Sequence, residues 1–418
     1  MNKAPASPLG EVVRLFLRLG ATAFGGPAAY IAMMEDETVR RRQWLSRERF
    51  LDLLGATNLI PGPNATEMAC HLGFVRAGWP GLWLGGLCFT LPAALIVAVI
   101  ASIYVRWGAL PSFAAVLYGI KPVIIALILQ ALWSMGKTAL KRPLLWGVCV
   151  AAATANLLGL NEIALLLIGG TTTGLWRGLA RDRAQNAPAL LTMLAVAAAI
   201  GALILFASPF SRSPVGAANA VSQAAPPGST APLPFSHGAL FLFFLKVGAI
   251  LYGTGYVLLA FLQSDLVTNW QWLSASQLLD ATAVGQVTPG PLLTTATFIG
   301  YVLGHPSGGV AGALWGATVG TVGVFLPGFV FVALSGPLIP RLRQSIVAGA
   351  FLDGVIAASL ALMAVVTWRL GREAITDVPT ALLALGAAVA LFRFRVNSMW
   401  LVLGGAVAGL ALKAALGA

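Results

Sequence analysis

The chain is 418 residues long, 58% hydrophobic and only 10% charged, with a formal net charge of +12. Water-soluble domains carry about a quarter charged residues, so this composition excludes one and places the chain in a lipid bilayer as an all-α polytopic membrane protein. The basic excess is not accompanied by a base-stacking or groove-reading pattern. Nucleic acid is therefore not an expected partner, and the excess matches the cytoplasmic loops of a membrane protein.

The opening residues, MNKAPASPLGEVVRLFLRLG, do not read as a cleaved signal, because Arg14 and Arg18 interrupt any apolar core; insertion is expected through the spans themselves. Arg18 begins a segment that Phe24-Gly25-Gly26-Pro27 interrupts, and a base at membrane depth is expensive and usually functional. A loop follows with Arg40, Arg41, Arg42, Arg47 and Arg49 around Trp44. The segment near 47–76 then carries Asp52 on its first arm and NLIPGPNATEMACHLG (Asn58 to Gly73) beyond it. Proline removes a donor and glycine lets the chain reverse. The stretch thus predicts a half-helix ending near 60, a break, and a second half-helix with Pro63 in its first turn. Beyond the break, Glu67 and His71 lie one turn apart and read either as a proton relay or as a local i, i+4 pair. Two ligands without a third do not make a metal site.

Spans of bilayer length are predicted near 80–105, 111–135, 143–160, 161–179 and 188–208. Cys70, Cys88 and Cys149 are scattered in apolar stretches, which suits packing rather than a disulfide or zinc framework; no cofactor is expected. Residues 209–236, rich in Pro, Ser and Ala with one charge, read as a flexible linker. After it, Lys246 begins a segment interrupted at Tyr252-Gly253-Thr254-Gly255, and the following SDLVTNWQWLSASQ has no Lys or Arg. Asp280 then precedes QVTPGPLLTTATFIG (Gln286 to Gly300), which holds Thr288, Pro289-Gly290-Pro291, Thr294 and Thr295. Final spans are predicted near 308–333, 344–368, 378–392 and 397–417.

These elements form the same series twice. At an offset of 228, Gly20 meets Gly248, Trp44-Leu45-Ser46 meets Trp272-Leu273-Ser274, Asp52 meets Asp280, and Pro61-Gly62-Pro63 meets Pro289-Gly290-Pro291. At 235, Leu91-Pro92 meets Leu326-Pro327 and Gly119 meets Gly354. The predicted organisation is a first unit at 1–208, with 188–208 an extra span, the linker at 209–236, and a second unit at 237–418. Five arginines in the first loop against none in the second orient the units oppositely by the positive-inside rule. That balance holds only if 47–76 enters and leaves from the cytoplasmic side and 275–303 from the other. The competing reading is that Pro-Gly-Pro merely kinks a spanning helix; its recurrence in both copies beside polar residues weighs against it.

Irregular backbone at that depth must be buried in protein or line a cavity. The half-helix N-termini, with amides and a positive dipole end, suit an anion, as in transporters with paired broken helices. Candidate substrate contacts are Arg18, Gly25, Gly26, Asn58, Pro61, Gly62, Pro63, Asn64 and Thr66. From the second unit they are Lys246, Gly253, Gln286, Thr288, Pro289, Gly290, Pro291, Thr294 and Thr295. Asp52, Asp280, Glu67 and His71 are candidates for proton coupling. For Arg18 with Asp52 and Lys246 with Asp280, two readings stand: ion pairs that fix the hairpins, or a base that draws the anion beside an acid that carries a proton.

Phe24-Gly25-Gly26-Pro27, Trp44-Leu45, Asn58-x-x-Pro61-Gly62-Pro63 and Gln286-x-Thr288-Pro289-Gly290-Pro291 resemble the chromate ion transporter family, in its long form with two homologous domains. The resemblance covers nearly the whole chain apart from the linker. It implies a bacterial inner-membrane protein exporting chromate, with sulfate as the chemically similar dianion. The second unit departs from it with Gly253-Thr254-Gly255 in place of Gly-Gly-Pro. A membrane phosphatase acting on lipid pyrophosphates would need a nucleophile or base, and an Arg to hold phosphate, beside the turn; Asn64-Ala65-Thr66-Glu67 and Leu292-Leu293-Thr294-Thr295 carry no Arg and no Ser. A passive anion channel would not require paired hairpins. The sequence thus points away from an enzyme and leaves open whether the protein forms a homodimer. The orientation has a direct check: with native cysteines removed, a cysteine at Asn269 should react with an impermeant thiol reagent from the periplasm and one at Arg41 should not. Equal labelling would overturn the opposed orientation.

Overall fold

The computed structural model describes residues 7–23, 27–58, 60–108, 110–180, 234–252, 255–335, 346–394 and 396–415. All regular structure among them is helical. The predicted span near 188–208, nearly all of the 209–236 linker, and Arg341, Arg343 and Arg395 lie outside the described residues.

The first half comprises α1 (Pro8–Thr22), α2 (Pro27–Glu35), α3 (Arg47–Thr57), α4 (Asn64–Trp107), α5 (Pro111–Ala139), α6 (Pro143–Leu157) and α7 (Glu162–Ala180). The second comprises α8 (His237–Ile250), α9 (Leu258–Phe261), α10 (Ala275–Val287), α11 (Thr295–Ser335), α12 (Ile346–Ala374), α13 (Val378–Phe394) and α14 (Ser398–Ala415). α2 and α9 continue into widened π turns at Asp36–Arg41 and Leu262–Asn269. Local chemistry sets the starts. Ser46 accepts from the Arg49 amide, Ser274 and Gln277 form a reciprocal capping box, and Pro111 and Pro143 occupy first turns where their missing N–H costs nothing.

α4 and α11 are each two arms rather than one rod. Gly78 (φ 63°, ψ −150°) and Gly309 (φ 57°, ψ −141°) adopt a backbone open only to glycine, and the chain folds back there. A Cβ on Gly85 would stand 2.6 Å from the Ala69 carbonyl oxygen, and one on Gly320 2.5 Å from that of Ala296. The short arms, 64–76 and 295–307, therefore pack at backbone contact against the long arms, 79–107 and 310–335. Apolar helices in lipid gain little from burying apolar surface against each other, so close small-residue packing takes over. The outer face of 79–107 exposes Trp79, Trp83, Leu87, Leu91, Leu95, Val99, Ile103 and Trp107, a stripe with a four-residue step that suits lipid.

Among the described residues, five stretches are long and apolar enough to cross a bilayer: Asn64–Trp107, Pro111–Ala139, Leu292–Ser335, Val347–Ala374 and Ser398–Ala415. α6 and α13 are shorter, α6 reaching about 22 Å. The chain is a polytopic helical membrane protein.

The halves interlock reciprocally. α5 of the first packs on α13 and α14 of the second, while α12 packs on α6 and α7. Glycine stands at each crossing: a Cβ on Gly119 would lie 2.6 Å from the Gly409 nitrogen, and one on Gly354 2.7 Å from the Gly169 carbonyl carbon. Gly119→Val should therefore force these helices apart and cost about 1–3 kcal/mol, read as a lower unfolding temperature in detergent. Gly136→Val, where a Cβ meets nothing within 4 Å, should leave that temperature nearly unchanged.

Candidate functional site

Four interruptions of helix meet in two pairs. α1 stops at Thr22 and α2 starts at Pro27; α8 stops at Ile250, with its capping residue Leu251 extended. The Pro-Gly-Pro breaks separate α3 from α4 and α10 from a 3-10 turn at Leu292–Thr294. Gly62 (φ 141°) donates its amide to the Leu251 carbonyl at 2.7 Å, and Gly290 (φ 91°) donates to the Ala23 carbonyl at 3.1 Å. Ala23 and Leu251, like Gly62 and Gly290, are 228 positions apart. Each half thus completes the broken helix of the other. Two expectations change accordingly. The Gly62 and Gly290 amides are already partnered and do not wait for an anion, and Pro63 and Pro291 sit at the capping position, just before the first turn.

The neighbouring side chains divide by whether they are satisfied. Asn64 donates to Asn58 across the first break at 2.7 Å. Thr288, Thr294 and Thr295 donate to carbonyls of their own turns at 2.8–2.9 Å. Thr66 Oγ1, Gln286 Nε2, both Glu67 oxygens and His71 Nε2 have no partner among the described residues. The expected i, i+4 pair between Glu67 and His71 is therefore not formed. Pro61 and Pro289 contribute backbone shape to the breaks. Gly25, Gly26 and Gly253 lie outside the described residues.

The expected ion pairs are also re-sorted. Arg18 bonds Glu37 at 2.6 Å, not Asp52, and Lys246 bonds Asp265 at 2.5 Å, not Asp280. Glu37 and Asp265 are 228 positions apart and 7% and 8% exposed, so the pair itself recurs. The reason is local. Each acid lies on the π turn that follows its broken helix and folds back alongside the base, whereas Asp52 is exposed on α3. Asp280 instead stands between Lys121 Nζ (3.2 Å) and the Tyr104 hydroxyl, which donates at 2.9 Å, while Lys121 also donates to Ser276 at 2.6 Å. Tyr30 donates to the Gly290 carbonyl at 2.8 Å. The sequence reading missed Glu37, Asp265, Lys121, Tyr104 and Tyr30. The recurring offset held the signal for the first two, and a lone cation in an apolar span held it for the third. A surface hollow of about 510 Å³ beside Leu157, Trp368, Arg369, Arg372 and Glu373 contains none of the break residues.

Paired broken helices, cross-bonded inside a polytopic membrane protein, define the class to which transporters of small solutes belong. The sequence model of the chromate transporter family matches residues 10–175 and 238–410, and the chain belongs to that family. It is 31% identical over 413 residues to the chromate transport protein of Cupriavidus metallidurans, covering 98% of this chain and 94% of that protein. It is 32% identical over 377 residues to the chromate transport protein of Pseudomonas aeruginosa, covering 90% and 84%. A Bacillus subtilis protein described as the uncharacterized transporter YwrA matches 35% of this chain over 87% of its own length, at 30% identity. No solved structure matches the chain.

The re-sorted pairs have a thermodynamic check. Lys246→Ala and Asp265→Ala should each destabilise the purified protein, and the double variant should lose less than their sum, a coupling of about 0.5–3 kcal/mol. Lys246→Ala with Asp280→Ala should be additive. The reverse pattern in denaturant unfolding would restore the first assignment.

Proposed function

We propose that the chain exports chromate from the cytoplasm across the bacterial inner membrane, accepts sulfate as a second tetrahedral dianion, and couples export to an ion or proton gradient. The carrying observation is the reciprocal pair of hydrogen bonds, Gly62 to Leu251 and Gly290 to Ala23, which joins broken helices from both halves into one assembly. The unpartnered donors Thr66 Oγ1 and Gln286 Nε2 suit an acceptor-rich oxyanion. Arg18 and Lys246 would draw the anion in.

On this reading 1–208 and 237–418 are two inverted units joined by 209–236. The packing supports re-entry. Arg76, at the end of the 64–76 arm, pairs with Glu11 and lies 5.8 Å from the Trp44 ring, so both ends of the 47–76 segment come to one side. In the second half Phe235 packs on Trp272, and His237 reaches the Gly312 carbonyl beside the chain reversal. A relative of about one unit's length agrees with two units. The arginine asymmetry of the two loops supports inversion.

The test is uptake of radiolabelled chromate by inside-out vesicles, with and without an imposed pH gradient and with excess sulfate. Uptake that responds to the gradient and is reduced by sulfate is expected. Absence of uptake, or uptake that merely equilibrates whatever the gradient, would overturn coupled export.

A further inference from the structure

We infer that the two breaks divide the work of transport, the second receiving the oxyanion and the first receiving a proton on Glu67, which is thereby the coupling group. This rests on the transport reading above and specifies what drives it.

Glu67 lies in the first turn of α4, and its side chain turns back into the break. A Cβ on Gly62 would collide with Oε1, and one on Gly328 of α11 would lie 3.4 Å from it. The residue is 1% exposed, and neither carboxyl oxygen has a partner among the described residues. The second break is built by a complementary exchange. At the position matching Glu67 stands Thr295, whose hydroxyl is satisfied by Leu292. At the position matching Gly328 stands Ala93, whose methyl would lie 2.6 Å from a Cβ on Gly290. A methyl thus fills at one break the space that a carboxyl fills at the other, with glycine making room for it. The carboxyl is part of the architecture of the first break.

An isolated carboxylate so buried is costly, while the positive end of α4 beneath it favours negative charge. A proton is the ligand that relieves the first without needing a further protein group, because no cluster of three metal-ligating side chains exists among the described residues. The ionised carboxylate would also occupy the helix end that a substrate anion seeks, leaving the oxyanion to the second break, where the Gln286 amide nitrogen has no partner among the described residues. The titratable groups that interact with Glu67 are Cys70 on α4 and Tyr252 from the second half, while His71, one turn further on, makes no bond to it. α11 presents Gly328, and Arg49 of α3 acts on His71.

Proteoliposomes containing pyranine report proton movement while labelled chromate is followed. For one proton per cycle, wild type should change chromate accumulation about tenfold per pH unit of gradient. Glu67→Gln should abolish that response and remove the carboxylic-acid C=O band from the infrared difference spectrum between high and low pH. Chromate-for-chromate exchange should remain measurable. A gradient response retained by Glu67→Gln, or wild-type exchange indifferent to pH, overturns the inference and leaves chromate transport standing. Absence of both exchange and net transport in wild type overturns the transport reading, and the inference with it. If Glu67→Gln does not fold, Glu67→Asp decides: a shifted band with coupling kept supports Glu67, and an unshifted band places the proton elsewhere and overturns it.

Discussion

Backbone polar groups at membrane depth must be satisfied within the protein, and the arrangement of this chain follows from that constraint. Pro-Gly-Pro removes donors and opens the helix twice, and an unsatisfied group in hydrocarbon costs several kcal/mol. Neither half resolves this alone. The Gly62 amide finds its acceptor at Leu251, and the Gly290 amide finds its own at Ala23. Both glycines have positive φ, which turns their amides outward from their own chain toward the other half. The breaks are therefore mutual dependencies: each is repaired by a residue of the other half.

Close approach extends the same logic to the scaffold. Where the breaks meet the long arms, Gly290 lies against Ala93 and Gly62 near Gly328; where α5 crosses α14 and α12 crosses α7, glycines again bring backbones together. Bulk is kept for the lipid face, where Trp79, Trp83 and Leu87 are exposed. Backbone contacts of this kind leave little flexible side chain between the packed helices, so strain at one is passed to the next.

Membrane class, most helices and the breaks were legible in the sequence, because proline, glycine and apolar run length act locally. The chain reversal at Gly78 fell in the gap between the segments expected near 47–76 and 80–105, and the one at Gly309 fell inside the span expected near 308–333. Periodicity continues through them, and the two residues that reverse the chain carry no side-chain signal beyond glycine. The ion pairs were misassigned for a different reason. Asp52 and Asp280 drew notice because they recur beside the Pro-Gly-Pro, yet one is exposed and the other belongs to Lys121 and Tyr104. The acids that Arg18 and Lys246 bond, Glu37 and Asp265, recur equally well but sit in polar loop sequence where an acid is unremarkable. Recurrence identifies positions under constraint, and only the fold says which of them touch.

The matching ion pairs also show what the two halves do not share. Arg18 with Glu37 joins two long side chains, and Lys246 with Asp265 joins two shorter ones, so the same hairpin is fastened with different chemistry. Elsewhere the difference goes further. Asp280 is neutralised by Lys121 and bonded by Tyr104, and the residues matching those two, Ile356 and Ile339, could do neither for an acid in the first half. Glu67 bonds no cation among the described residues, and its counterpart Thr295 needs none. A strictly symmetric pair of breaks would present the same ligand preference from both leaflets. Each half here holds a buried acid that the other lacks, one neutralised within the protein and one not. On the proposed coupling, that difference is what would let one break take the proton and the other the oxyanion.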